Sequence, residues 1–331
     1  MDRTMVRAAV VQASPVMFDI VRTLEKLADL TRDAAAQGAD LVLFPEAFVG
    51  GYPKGLDFGA RLGSRSDVGR EDFRRYFESA IDLPGPDSDL VAKAARTNKV
   101  YLVAGLIERD GGTLYCTAVT YSPEGKLLCK HRKLMPTALE RLVWGFGDGS
   151  TLSVVESAIG RIGSVICWEN YMPLLRMAMY AQGIEIYCAP TVDDRETWLP
   201  TMRTIALEGR CFVLSACQYL TRADCPIDYS AIQGDDPSTV LIRGGSCIVD
   251  PLGNVLAEPS FDGETIRFAE LDRRMIAKGK YDLDVVGHYA RPDIFKLTVD
   301  TSARQAVIFG SEGIQQPETA AGSVEDGDES I

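Results

Sequence analysis

The chain has little histidine: His131 and His288 are the only two in 331 residues. With no CxxC pair either, a Cys/His zinc site is not expected. No apolar run approaches the ~20 residues that cross a bilayer, so no membrane span is expected. The N-terminus, MDRTMVRAAVVQASPV, lacks the apolar core and small-residue cleavage site of a secretory signal, which makes the cytoplasm the expected location. Basic residues are also short. Thirty-five Lys and Arg face 47 Asp and Glu, a net charge of −12, whereas a phosphate-binding surface needs a basic excess. Nucleic acid is therefore not an expected partner.

Cysteine, by contrast, is plentiful. Eight are dispersed at 116, 129, 167, 188, 211, 217, 225 and 247. A chain this long buries a core without disulfide staples, and without an export signal reduced thiols are expected. Half of the net charge sits past Gln305, where Glu312, Glu318, Glu325, Asp326, Asp328 and Glu329 meet no Lys or Arg. The end of that tail, ETAAGSVEDGDESI, is low in apolar content and is expected to be disordered. The remaining acidity reads as solubility.

Apolar, β-branched runs predict strands at VRAAVVQA (6–13), ADLVLFPE (39–46), 100–107, 114–122 and 126–131. Between them, Val21, Leu24, Leu27, Ala28 and Thr31 fall at helical spacing with Gly38 as the stop, and helices are expected near 70–80 and 87–97. The second half repeats the style. TLSVVES, RIGSVIC, IEIYCAP and CFVLSACQ read as strands, Met172–Ala181 as a helix opened by Pro173, and PTMRTIALEG as a helix with Pro200 at its first position. Residues 220–240, rich in Asp and Pro, read as an exposed insertion. GSCIVDPLGNVLAE reads as a hairpin and ETIRFAEL as a closing strand. Alternating helices and strands predict an α/β fold, one domain over 1–300, with 301–331 as an extension.

Open α/β sheets place their sites at the C-terminal ends of strands. Glu46 ends LVLFPE, Cys167 ends RIGSVIC, and Lys133 lies just past KLLCKHR. Each has a bland alternative: a solvated loop carboxylate, a buried cysteine acting as a small hydrophobe, and a lysine in a wet charge run. Together they form a nucleophile, a base and a cation. A thiolate is the reactive form of cysteine, and helix amides and a nearby ammonium would lower its pKa. A carboxylate within reach would take the thiol proton and later activate water. The scarcity of histidine turns the search for a base toward Glu.

VVQASPV, LVLFPEAFVGGYP, HRKLMPTALERLVWGFGDGS, VICWENYMPLLRMAMYAQGIEIYCAPT, ALEGRCFVLSACQ and GHYARPDIF occur in order from about residue 6 to 295. Together they resemble the nitrilases of plants and bacteria. The resemblance implies a four-layer αββα sandwich that dimerises through helices and extends into spiral oligomers. It implies a Glu–Lys–Cys triad at Glu46, Lys133 and Cys167, with a second glutamate at Glu140 that sequence alone would leave as a surface charge. His288, in GHYARPD, would support the site or an interface. Tyr52, Trp144, Trp168, Thr191 and Val192 flank the motifs as candidates for the substrate pocket, although Trp144 and Val192 fit a core equally well. The implied reaction takes a nitrile and water to acid and ammonia through a covalent cysteine adduct, with no metal or organic cofactor. The Cys167 segment looks most like the plant and cyanobacterial branch, which suggests aliphatic nitriles and dinitriles. An amidase or carbamoylase of the same superfamily would use the same triad. Other readings are a non-catalytic filament-forming scaffold and a Cys–His hydrolase built on His131 or His288.

Overall fold

The computed structural model describes residues 4–305 and 307, so the acidic tail lies outside the described residues. The first half contains β1 (Met5–Gln12), α1 (Ile20–Ala36), β2 (Leu41–Leu43), α2 (Asp67–Glu78), β3 (Ile81–Asp82), α3 (Pro86–Asn98), β4 (Tyr101–Asp110), β5 (Thr113–Tyr121) and β6 (Leu127–Arg132). A four-residue helix α4 (Glu140–Val143) leads into the second half. There follow β7 (Val154–Val155), β8 (Ile162–Ser164), a 3-10 turn at Cys167–Tyr171, α5 (Pro173–Ala181), β9 (Ile186–Cys188), α6 (Trp198–Gly209) and β10 (Phe212–Ser215). The chain closes with β11 (Tyr219–Thr221), β12 (Val240–Arg243), β13 (Cys247–Val249), β14 (Val255–Ala257), β15 (Thr265–Asp272) and α7 (Arg274–Gly279).

Two sheets carry the fold, in the orders β15-β1-β2-β4-β5-β6 (with β3 beside β4) and β14-β13-β10-β9-β8-β7. Each has three parallel strands at its centre, β1-β2-β4 and β8-β9-β10, with antiparallel neighbours outside except for the short β3, which runs parallel to β4. The period-2 side-chain alternation of strands builds four layers. Ala8 and Val10 of β1, with Leu41 and Leu43 of β2, meet Ile186, Cys188, Phe212 and Leu214 of the other sheet. Their neighbours Ala9, Val11 and Val42 face α1 and α3 through Leu24, Leu27 and Val91. On the far side, Tyr187 and Val213 face α5 and α6 through Leu175, Met179 and Met202. Central strands buried on both faces read as unbroken apolar runs, which is why LVLF and RIGSVIC are so uniformly hydrophobic. The expected αββα sandwich is present.

Several local expectations need correction. In α1, Leu24, Leu27 and Thr31 point inward, but Val21 is 62% exposed and Ala28 is also exposed, because the buried stripe is narrower than the apolar spacing suggested. Gly38 does stop the helix, at a φ of +84° that glycine adopts without strain. Helix α6 starts at Trp198, so Pro200 is its third residue, still in the first turn where a missing N–H costs nothing. The 220–240 segment is only partly an exposed insertion. Leu220, Tyr229 and Ala231 are buried, and the Tyr229 hydroxyl donates to the Lys54 carbonyl at 2.7 Å. The segment thus braces the loop that carries Tyr52.

Candidate active site

The C-terminal ends of the parallel strands converge on one buried cluster. Glu46 follows β2 in a tight turn that β4 approaches closely. A Cβ on Gly105 would lie 2.3 Å from the Pro45 carbonyl, so only glycine fits there. Gln218, just past β10, donates from Nε2 to the Glu46 carbonyl at 2.7 Å and fixes the turn from the other sheet. On β6 the alternation carries His131 and Lys133 inward, while Lys130 and Arg132 stay partly exposed. The charge run is therefore split by the pleat, and Lys133, which a wet charge run would have left in solvent, is 1% exposed.

Lys133 Nζ donates to Glu46 Oε1 at 2.7 Å and to Glu140 Oε2 at 2.7 Å. Glu140, the first residue of α4, also accepts from the Thr137 N–H at 2.6 Å and, through Oε1, from the Tyr52 hydroxyl at 2.7 Å. These bonds remove it from the class of surface helix charges. Cys167 stands at a left-handed φ of +49°, a conformation that costs a non-glycine residue about 1–3 kcal/mol. Its N–H donates to the Pro190 carbonyl at 2.9 Å, Asn170 Nδ2 donates to its carbonyl at 2.7 Å, and Thr191 Oγ1 donates to its Sγ at 3.3 Å. The strained turn holds the thiol beside the carboxylate–ammonium cluster.

Burial raises the Glu46 carboxyl above the ordinary 4.5, and the Glu140 charge adds to this while Lys133 opposes it. Glu46 Oε2 is buried and receives no N–H or O–H donor, and the neighbouring Cys167 thiol favours the charged carboxylate. For Lys133, burial works against the charge, but Glu46, Cys167 and Glu140 outweigh it and hold the ammonium well above 10.5. The thiol departs from expectation. Desolvation, followed by the Glu46 charge, pushes Cys167 well above 9.0, and the opposing Lys133 does not compensate. Cys167 rests as a neutral thiol beside a carboxylate with an unfilled acceptor.

A pocket of about 230 Å³ opens onto Cys167 and is lined by Tyr52, Glu140, Trp168 and Val192, together with Lys54, Thr137 and the Asp193–Arg195 segment. Tyr52, Trp168 and Val192 therefore lie where the motifs suggested. Thr191 is fully buried and touches the thiol rather than the pocket. Trp144 is not a pocket wall. It is 2% exposed, sits 5.3 Å from Lys133 Nζ and donates from Nε1 to the Tyr76 hydroxyl at 3.0 Å, so it backs the cluster from behind. His288 lies exposed after α7 with its ring against Tyr289 at 6.0 Å and is not among the residues lining the pocket, so within one chain it does not touch the site. His131 is buried, but its Nε2 pairs with Glu169 Oε2 at 3.0 Å rather than with the thiol.

Sequence reasoning gave no role to Glu169, Asn170 or Cys116. Glu169 accepts from the Leu134 N–H at 2.6 Å and the Ile166 N–H at 3.0 Å, tying the Lys133 strand to the Cys167 turn. The signal for it was a carboxylate two residues past an apolar strand end. Cys116 carried no such signal; its thiol donates to Glu46 Oε1 at 3.6 Å. Among the described residues, no group of His, Cys, Asp and Glu could hold a metal ion, and no helix is long and apolar enough to cross a membrane.

An αββα sandwich with a buried thiol, carboxylate and ammonium under a small pocket is the arrangement of a cysteine-dependent hydrolase. The family model for carbon-nitrogen hydrolases matches residues 7–281, and the chain belongs to that family. It is 58% identical over 305 residues to an aliphatic nitrilase of Sinorhizobium fredii, spanning 92% of this chain and 99% of that protein. It is 54% identical over 311 residues to a bifunctional nitrilase/nitrile hydratase of Lupinus angustifolius, spanning 92% and 89%. A Helicobacter pylori carbon-nitrogen hydrolase structure shares the fold at a TM-score of 0.68 and 22% identity, over 89% of this chain and 98% of that one.

Proposed function

We propose that the protein is a nitrilase, catalysing R–C≡N + 2 H2O → R–COOH + NH3 through a covalent adduct on Cys167. The observation that carries this reading is Lys133 Nζ held at 2.7 Å from both Glu46 and Glu140 beneath the thiol. The two relatives, named as an aliphatic nitrilase and a bifunctional nitrilase/nitrile hydratase, point the same way.

Because the thiol is neutral at rest, Glu46 removes its proton as Sγ attacks the nitrile carbon. A π pair of the triple bond moves to nitrogen, which takes up the proton and gives a thioimidate. Lys133 and the backbone N–H of Trp168, a first-turn amide with no intrahelical carbonyl, stabilise the charge that develops there. Glu46 then activates a water. Its addition gives a tetrahedral species whose C–N bond breaks to release ammonia, leaving a thioester. A second water, again activated by Glu46, cleaves C–S to free the acid and restore the thiol. Glu140 holds Lys133 in place and keeps it charged. If the tetrahedral species breaks at C–S instead, the amide leaves, and the relative named as bifunctional makes this second outcome worth measuring.

A pocket near 230 Å³ falls below the roughly 300–1,000 Å³ that holds drug-sized ligands, which supports short aliphatic nitriles or dinitriles as substrates. The residues to about 300 serve as one catalytic domain, and the eight free cysteines suit a reducing cytoplasm. Self-association as a dimer, extended into spirals, is supported by exposed apolar side chains on α5 and the segment after α7, including Leu174, Tyr289 and Phe295. Ammonia release across a panel of nitriles and their matching amides tests the function. Faster turnover of nitriles is expected; release from amides alone would replace a nitrilase with an amidase.

A further inference from the structure

Two cavities share one wall. The pocket over Cys167 is bounded by Asp193, Asp194 and Arg195, and the same three residues bound a second cavity of about 180 Å³. Beyond the shared wall, that second space is lined mainly by Trp198, Leu199, Pro259 and Phe261, with Glu196 as its one further charged residue. The backbone of the wall is fixed. The Asp193 N–H donates to Thr191 Oγ1 at 2.9 Å, while Arg243 donates to Asp194 through its N–H at 3.0 Å and its Nε at 2.9 Å.

The Arg195 side chain is the part of this wall that can be removed without touching the thiol cluster. Its Nε donates to Asp193 Oδ1 at 2.8 Å and its guanidinium lies 4.7 Å from the Trp168 ring centre, while Trp168 Nε1 donates to Asp193 Oδ2 at 2.8 Å. The Arg195 side chain is 49% exposed, so one face meets water while the other is pinned by a carboxylate and an aromatic ring. A planar guanidinium held in both ways forms a stiff partition.

We propose that Arg195 sets the upper length of the substrate, closing the Cys167 pocket off from an apolar cavity that would accept the distal carbons of a longer aliphatic nitrile. This rests on the nitrilase reading and adds a specificity role to it. Joining the two cavities would take the space continuous with the thiol from about 230 to about 410 Å³ (230 plus 180) and would add mostly apolar surface to it.

The test compares kcat/KM for butyronitrile and octanenitrile in the parent, Arg195→Ala and Arg195→Lys. Removing the side chain is expected to raise the octanenitrile-to-butyronitrile ratio roughly tenfold or more, mostly through a lower KM for the longer chain, since each methylene accommodated in an apolar pocket counts for that order. Arg195→Lys keeps a long stem and a positive charge, and its ratio is expected to stay near the parent's. A merely structural role would slow both substrates alike and leave the ratio unmoved in Arg195→Ala, which would overturn the proposal. Dissociation constants for butanal and octanal, aldehydes that a thiol adds to reversibly, provide the same ratio without nitrile turnover. If the parent releases no ammonia from either nitrile, the nitrilase reading fails while the aldehyde ratio still decides the role of Arg195. Should Arg195→Ala not fold, Arg195→Gln, which is shorter and can still bond Asp193, carries the same comparison.

Discussion

Two carboxylates are buried in or beside the first sheet against cations from β6 and the residue that follows it, and they behave in opposite ways. Glu108, on β4, is 1% exposed and has both oxygens filled: Lys130 at 2.6 Å, Arg132 at 2.6 and 2.9 Å, and Thr117 at 2.9 Å. Burial alone would raise its pKa, but Arg132 and Lys130 prevail and hold it below 4.5. Glu46 is fully buried, shares its lysine with Glu140, keeps Oε2 without a donor, and is held above 4.5. A saturated carboxylate stabilises the fold and has no basicity to spare. An unsaturated one costs stability and keeps a lone pair for a proton. The difference separates a structural ion cluster from a chemical one.

The sharpest break between the two clusters should appear in activity. Glu46→Gln is expected to cut turnover by about 10²–10⁴-fold without lowering Tm, since it removes a buried charge that also repels Glu140. Glu108→Gln should do the reverse, lowering stability by about 1–3 kcal/mol while turnover per folded molecule holds. Thermal melts paired with ammonia assays check both. Lys133→Met comes next. It leaves Glu46 and Glu140 facing each other without a cation, and breaking a buried pair in this way costs about 3–5 kcal/mol in addition to the loss of activity. Protein that melts and turns over like the parent would remove Lys133 from the account.

pH sharpens the contrast further. Activity should rise as pH climbs through the raised Glu46 pKa, so its acid limb should lie above 4.5 and move or vanish in Glu46→Gln. The stability that Glu108 contributes is present above 4.5 and is lost as pH falls through its depressed native pKa, so the Glu108→Gln penalty should fade in acid. The smallest effect expected is that of Cys225→Ala. That thiol is buried beside the Thr221 carbonyl, outside the pocket lining, and its loss should leave the nitrile rate near the parent's.

Much of this was legible because strand ends are easy to find. LVLFPE and RIGSVIC show where apolar runs stop, and the polar residue at each stop is the one the sheet delivers to the site. Lys133 was harder, since its inward turn depends on the pleat of β6, which a charge run conceals. Glu140 needed the family resemblance, because nothing in TALERLVWG says that Tyr52, nearly ninety residues away in sequence, will bond it. Cys116 acts through a contact between distant segments that no local pattern encodes, and Glu169, although its place past a strand end was visible, owes its role to the distant Leu134 N–H and His131. The expected lowering of the Cys167 pKa failed for a related reason. Local geometry suggested an activating turn, but the desolvation that prevails depends on how completely two sheets close around the thiol. Trp144 shows a subtler gap: its motif placed it at the site, but only the packing tells that it backs Lys133 from behind instead of lining the pocket.

The central claim is that Cys167, made reactive by Glu46, carries the substrate. Peptide-resolved mass spectrometry of protein acid-quenched while turning over a short aliphatic nitrile tests it most directly. The account predicts an acyl or imidoyl mass on the Cys167 peptide, absent from the other seven cysteines and lost in Glu46→Gln. Ammonia release with Cys167 unmodified throughout, or with the adduct on a different cysteine, would contradict it.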